Sequence, residues 1–377
     1  MQKIQMVDLI SQYQEIKEEV DEAVQNVMDS AAFIKGPEVN AFQEELQDYL
    51  KVKHVIPCAN GTDALQMALM ALGLKPGDEV VTANFTFAAT VEVIHLLGLK
   101  SILVDVDKDT FTLDVEHLKR CITPKTKAII PVHLFGQCAN MEEIMAVAKD
   151  NELFVIEDTA QAIGASYHFS NGKSKKAGTI GDIGTTSFFP SKNLGCMGDG
   201  GAMFTNNDEL AHRLSAITNH GMWERYYHEE VGVNSRLDSI QAAILRVKLK
   251  RLDKYNNARS KAAKYYSDNL KGVGGVETPV ISNNSSHVFH QYTLKLASFV
   301  DRDGLQEYLK SKDIPSMIYY PVPLHQQKAY RDLSKKDVDF PITMGLIKSV
   351  ISLPMHTELS REQQGFIIES IIEFLNK

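Results

Sequence analysis

Short, nearly continuous apolar runs alternate with stretches of helical period through the middle of this chain. Glu79–Thr82, Ser101–Asp105, Ala128–Val132 and Leu153–Ile156 are such runs. Apolar side chains at successive positions predict strands covered on both faces. Helical stretches fit between them, over 62–72, 87–97, 114–121 and 141–150. Asn140 is the expected N-cap of the last, with Glu143 three residues on. The alternation predicts an α/β unit with a mostly parallel sheet. Ahead of it, residues 7–50 read as helical. Val39, Phe42, Leu46 and Tyr49 recur at helical spacing behind Gly36-Pro37, where proline suits a helix start.

Past residue 205 the pattern changes. Helical period covers 208–219 and resumes from about 236 to 270, with Leu237, Ile240, Ile244 and Val247 expected on one face. Short strands are expected at 289–297, 316–320 and 350–353, and helices at 302–311 and 360–376. Ser360 and Gln363 have the spacing of a capping box for the last helix. These segments predict a large domain over 1–250, with the N-terminal helices, and a smaller α+β domain over 251–377. No internal repeat or low-complexity segment is visible.

Composition narrows the partners. Hydrophobic residues make up 44% and charged residues 23%, an ordinary globular balance. A net charge of −8 without a long basic run argues against nucleic acid or an anionic membrane surface. The four cysteines, Cys58, Cys121, Cys138 and Cys196, form no CxxC pair, and no His/Cys cluster has zinc spacing. No metal is expected, and the thiols are expected to be reduced in a cytoplasmic protein. Met1-Gln2-Lys3-Ile4 opens no signal-peptide core, and no apolar run is long enough to span a bilayer.

Three features carry candidate chemistry. Asn60-Gly61-Thr62-Asp63-Ala64-Leu65 follows the apolar Val55-Ile56-Pro57 and opens a helix whose free N–H groups favour a phosphate, although an ordinary capped helix has the same look. Asp158 ends a buried-looking strand, where open α/β sheets bind ligands, or it caps a helix. Lys192 follows the strand Thr185–Phe189 and precedes Gly198-Asp199-Gly200-Gly201, a run expected to shape a tight turn between two strands. A desolvated lysine loses its proton more easily and can form a Schiff base; a surface loop is the ordinary fate of such a residue. Ser187 could reach a phosphate and Gln161 a ring hydroxyl. Gly178 to Gly184 opens no helix after a first strand and is a poor dinucleotide fingerprint. An amine to hold an aldehyde and an acid to keep a ring nitrogen protonated together suggest pyridoxal phosphate.

With these features in order, the whole chain resembles the DegT/DnrJ/EryC1/StrS family of pyridoxal-phosphate-dependent sugar aminotransferases. The matching stretches are Phe33–Val39, Asn60–Leu65, Asn84–Thr90, Glu157–Gln161, Ser187–Lys192, Gly198–Gly201, Asn234–Asp238 and Tyr320–His325. The resemblance implies the fold type I, aspartate-aminotransferase-like architecture and a homodimer with shared active sites. It implies that Lys192 holds the cofactor aldehyde and moves the proton of the transfer. Asp158 would hold the pyridine nitrogen, Gln161 the ring oxygen, and Gly61, Thr62, Asp63 and Ser187 the phosphate. Phe87 would stack on the ring, and Asn234 would reach the phosphate bound in the neighbouring subunit.

The same resemblance implies a transamination in two halves. L-Glutamate leaves its amino group on the cofactor and departs as 2-oxoglutarate, and a nucleotide-linked keto-sugar takes the group up, for surface polysaccharide such as O-antigen. Tyr320–His325 looks like the members that aminate C3 of a UDP- or dTDP-linked sugar. Arg236 is similar to an arginine in enzymes acting on a UDP-linked 3-keto-uronate such as UDP-2-acetamido-3-keto-glucuronate. Tyr319-Tyr320 stands where some of those have His-Tyr. Tyr319, Tyr320 and His325 complete the expected substrate residues. Two other readings remain at this point. Related sugar dehydratases carry histidine where this chain has Lys192, and a protein of this fold could bind for regulation without turnover.

Overall fold

The apolar runs line up as one sheet in the computed structural model, which describes residues 3–330 and 339–377. Two helices, α1 (Leu9–Ser30) and α2 (Pro37–Leu50), precede it. Next come β1 (His54–Cys58), α3 (Gly61–Ala71), β2 (Glu79–Ala83), α4 (Ala89–Leu96), β3 (Lys100–Val104), α5 (Val115–Cys121), β4 (Thr126–Ile130), α6 (Met141–Asp150) and β5 (Phe154–Asp158). A hairpin of β6 (Ser166–His168) and β7 (Ser174–Lys176) then leads to β8 (Ile183–Ser187) and β9 (Gly201–Thr205).

The seven-stranded sheet has the order β1-β9-β8-β5-β4-β2-β3. Only β9 runs against its neighbours; the remaining pairings are parallel. Successive residues face opposite cores, which is why the strands read as unbroken apolar runs. Val81, Ile129 and Val155 pack with Leu118 and Ile144 of α5 and α6. Val80, Ala128 and Ile156 pack on the other side with Leu65 and Leu69 of α3. β3 and β4 flank β2 on opposite sides, the arrangement at which open α/β sheets bind ligands at the carboxyl ends of their strands.

Beyond β9 lie α7 (Asp208–Ile217), a hairpin of β10 (Met222–Glu224) and β11 (Tyr227–His228), α8 (Ser239–Leu249) and α9 (Leu252–Leu270). Strands β12 (Val276–Glu277) and β13 (Tyr292–Leu296), helices α10 (Arg302–Ser311) and α11 (Pro341–Ser349), strand β14 (Val350–Leu353) and α12 (Arg361–Leu375) complete the chain. β12, β13 and β14 form an antiparallel sheet, and Tyr292 and Leu294 pack with Tyr266, Leu305 and Ile367 from α9, α10 and α12. Both halves of the Ser360–Gln363 capping box are present.

Four local expectations need correction. Asn140 stands at the N-cap of α6, but its side-chain oxygen accepts from the Tyr167 hydroxyl at 2.9 Å and caps nothing. Residues 316–320 form no strand; Met317 makes one isolated bridge to Ser352. Leu237 precedes α8 and packs with Phe42 and Phe188, whereas Ile244 and Val247 face Ile16 and Val20 of α1. Gly198–Gly201 is not a tight turn: β8 and β9 are joined by the longer loop 188–200, and Gly201 is already in β9.

Candidate active site

Asp158 is the last residue of β5 and lies beside Thr185 of β8 in parallel register. Its carboxylate accepts from the Ala160 N–H at 3.1 Å and from the Thr90 hydroxyl at 3.2 Å. Burial pushes its carboxyl above the ordinary aspartate value, and Ala160, Lys192, Thr90 and His133 only partly oppose that. A buried carboxylate in this condition is stabilised by a cation brought against it.

Lys192 supplies the nearest such charge. The residue is half-buried overall, and its amine is in the buried part. Desolvation lowers the amine to about 8, with Asp158 working the other way. A lysine near 8 has a usable neutral fraction at neutral pH and can act as a nucleophile. Lys248 on α8 is also lowered to about 8 by burial, but its amine donates to the Gly195 carbonyl at 2.7 Å. That lysine braces the loop carrying Lys192. Lys192 itself has no carboxylate within ion-pair distance among the described residues.

The N-terminus of α3 lies next to Ser187. A Cβ on Gly61 would fall 2.7 Å from the Ser187 Cβ, and one on Gly201 would fall 2.5 Å from the Asn60 carbonyl carbon. Only glycines permit this approach. Asn60 caps the helix by accepting from the Asp63 N–H at 2.8 Å. Among the described residues, the N–H groups of Gly61 and Thr62 have no protein acceptor, so two donors remain for an anion. Asp63 does not belong with them. Its N–H is used by Asn60, and its carboxylate accepts from the Ser235 hydroxyl at 2.6 Å.

Gln161 has its orientation set by the backbone. Its oxygen accepts from the Phe135 N–H at 2.7 Å, which turns the amide nitrogen to the Tyr320 hydroxyl at 3.1 Å. Phe135 has a left-handed backbone, φ 57°, in the turn after β4. Phe87 is exposed in the loop after β2, with its ring centroid 6.4 Å from that of Tyr320. Burial pushes the Tyr319 and Tyr320 hydroxyls above the ordinary tyrosine value.

Other expected residues sit apart from this centre. Asn234 is exposed, one residue before the Ser235 that holds Asp63. Arg236 donates to the Asn219 side chain at 3.2 Å and lies close enough to Lys35 to help burial lower that amine. Neither cation has an acidic partner among the described residues, so the pair suits an anionic group. His325 is not in the site wall. It is 4% exposed, its ring nitrogen Nδ1 lies 2.8 Å from the Asn84 amide, and its ring packs on Phe340 at 4.7 Å.

Sequence reasoning missed Thr90, Phe135 and Ser235. Thr90 ends the Asn84–Thr90 stretch, but only the fold brings its hydroxyl to Asp158. Phe135 acts through its backbone, which its side chain does not announce. Ser235 lies within Asn234–Asp238, but its pairing with Asp63 spans 172 positions.

The sequence matches the model of the DegT/DnrJ/EryC1/StrS aminotransferase family over residues 14–372. It is 46% identical over 373 residues to the "Pleiotropic regulatory protein" of Geobacillus stearothermophilus, covering 98% of each chain. It is equally 46% identical over 356 residues to the UDP-2-acetamido-2-deoxy-3-oxo-D-glucuronate aminotransferase of Pseudomonas aeruginosa, covering 94% of this chain and 96% of that one. Its structure superposes with a TM-score of 0.93 on a DegT DnrJ EryC1 StrS aminotransferase from Brucella abortus, at 42% identity over 99% of this chain and 100% of that one.

Proposed function

Because the chain belongs to the DegT/DnrJ/EryC1/StrS aminotransferase family, we propose that it transfers an amino group from L-glutamate to C3 of a nucleotide-linked 3-keto-sugar. It is a pyridoxal-phosphate-dependent aminotransferase with the fold of that family. The residues fit the cofactor: the close approach of Gly61 to Ser187, which a Cβ would block, brings two orphan N–H donors and the Ser187 hydroxyl together for a phosphate. When bound, pyridoxal phosphate supplies an aldehyde for amino exchange and a ring that withdraws electrons.

The observation that carries the reading is the buried pair of Lys192 and Asp158. Asp158 would hold a proton on the ring nitrogen, relieving the anion that burial disfavours. Gln161 would present its amide nitrogen to the ring oxygen, since Phe135 keeps its own oxygen occupied. Gly61, Thr62 and Ser187 would hold the phosphate. Phe87, exposed beside Tyr320, would cover one face of the ring. The Lys192 amine would release the aldehyde to the incoming donor and then carry the proton between the two carbon atoms that exchange it.

The paired cations Lys35 and Arg236 support a substrate with an anionic group near the sugar, either its diphosphate or a uronate carboxylate. The named activity of the Pseudomonas relative supports a UDP-linked 3-keto-uronate. Tyr319 and Tyr320 would border the sugar. The exposed Asn234 supports a role across a homodimer interface, and the β12–β14 sheet with its own core supports a smaller C-terminal domain from residue 251.

The name of the Geobacillus relative favours a second reading, regulatory binding without turnover. A mass-spectrometric screen of UDP- and dTDP-linked 3-keto and 4-keto sugars with glutamate separates the two. Amination of a 3-keto sugar with matching 2-oxoglutarate is expected. A deoxy sugar, or no amino transfer across the panel, overturns the proposal.

A further inference from the structure

Asn256 is 7% exposed on α9, a helix that contributes no candidate site residue. Its side chain touches two segments that matter. Its Oδ1 accepts from Asn193 Nδ2 at 2.7 Å, and Asn193 follows Lys192 directly. Its Nδ2 donates to the Ile163 carbonyl at 3.2 Å, two residues beyond Gln161. The same Asn193 nitrogen donates to the Val288 carbonyl at 2.9 Å. Each amide nitrogen faces a backbone carbonyl, so neither side chain can be flipped without losing a bond.

Two features show how closely this tie is built. Gly164 has φ +88°, and a Cβ there would lie 2.5 Å from Asn256 Nδ2, so the adjacent glycine makes room for the contact. Asn193 Oδ1 is buried with no hydrogen-bond partner among the described residues.

We propose that Asn256 is a positioning residue that locks the Lys192 loop to the Asp158–Gln161 loop and so holds the lysine amine in the buried site it shares with Asp158. The proposal rests on the reading of Lys192 and Asp158 as the reacting pair. Arg259, one turn along α9, donates to the carbonyls of Phe289, His290 and Met355, so the same helix also holds the segment bearing His290. The charged and titratable groups facing Lys192 are Asp158 on β5 and His290 ahead of β13, with His133 beside Asp158 and Arg259 behind His290. Loosening the loop admits water, and water restores a lysine toward its ordinary basicity.

The test is competitive acetylation of the apoprotein with acetic anhydride across pH, reading the Lys192 peptide by mass spectrometry. The unaltered protein should titrate near about 8. Asn256→Ala should raise the midpoint by at least about half a unit toward the ordinary value. Asn193→Ala should do the same from the loop side, and the double variant should shift the midpoint by less than the sum of the two, since both remove the Asn193–Asn256 bond. Leu305→Ala, in the core under β13, should lower the melting temperature and leave the midpoint in place. An unmoved midpoint in Asn256→Ala or in Asn193→Ala, or an equal shift in Leu305→Ala, overturns the proposal. A midpoint at the ordinary lysine value in the unaltered protein would instead count against the reading of Lys192 itself.

Discussion

Gly61 approaches Ser187 so closely that a methyl group on the glycine would lie 2.7 Å from the serine Cβ and 3.2 Å from its Cα. The contact brings the orphan N–H groups of α3 and the Ser187 hydroxyl to one place. It cannot be relieved by a side-chain rotation, because the obstacle includes backbone. Gly61→Ala should therefore push the helix start away from β8, cost about 1–3 kcal/mol of stability and weaken pyridoxal phosphate binding at least tenfold. Gly345→Ala is the control: among the described residues a Cβ there meets nothing within 4 Å, and affinity should not change. Cofactor titration of both apoproteins followed by absorbance checks the pair.

Cofactor capture should follow the lysine. The neutral amine attacks an aldehyde, so the rate of pyridoxal phosphate uptake should rise as pH passes through about 8 and then level off. An ordinary lysine would keep accelerating to its usual value of 10.5. The sign for stability follows from linkage. Between about 8 and 10.5 the unfolded lysine holds a proton that the folded one has lost, so this group makes the protein more stable as pH rises through that window. Stopped-flow uptake against pH, with Lys192→Ala as the blank, measures the rate.

Glu157 should govern acid stability. Its carboxylate is fully buried and accepts from His133 Nε2 at 2.9 Å and from the N–H groups of Gly178, Ile180 and Gly181 at 3.0, 2.6 and 2.7 Å. His133 Nδ1 accepts from the Ala139 N–H, which leaves the proton on Nε2 to donate to Glu157. Burial opposes the charge, but His133 and the loop N–H groups outweigh it and hold the carboxyl below the ordinary glutamate value of 4.5. The stability it supplies is complete above 4.5 and is lost as pH falls through the lowered folded value. Glu157→Gln should cost about 1–3 kcal/mol at neutral pH, because its amide group cannot accept from all the N–H donors that face the carboxylate, and should flatten the acid limb of a melting profile.

Legibility in the sequence followed the range of the interactions. The parallel strands could be read because burial on both faces leaves an unbroken apolar run, and the Ser360–Gln363 box because both partners lie within one turn. Asn140 looked like a cap because its type and spacing were right, yet Tyr167, 27 positions away, takes its oxygen. His325 reads as a substrate residue because it ends the Tyr320–His325 stretch, yet Asn84 and Phe340 pack against it. Lys192 and Asp158 were legible by type and order. That their amine and carboxylate share one buried environment, and that Asn256 ties their loops together, needs contacts spanning 63 and 93 positions.

Arg236 should separate charged from neutral sugars. If the guanidinium meets a uronate carboxylate, Arg236→Ala should raise KM for a UDP-linked 3-keto-uronate by about tenfold or more, while a neutral UDP-linked 3-keto-sugar changes little. Equal losses on both would place the guanidinium at the shared diphosphate. Lys35→Ala should follow Arg236→Ala in direction, because the two cations lie together.

If Lys192 holds the cofactor, a reductant will fix the two together. Reducing the pyridoxal-phosphate-loaded protein with borohydride and mapping the modified peptide tests it most directly. The expected result is a single phosphopyridoxyl group on Lys192, absent when the protein is first exhausted with glutamate. Stoichiometric modification at Lys248 or at a surface lysine, with Lys192 unmodified, would contradict the account.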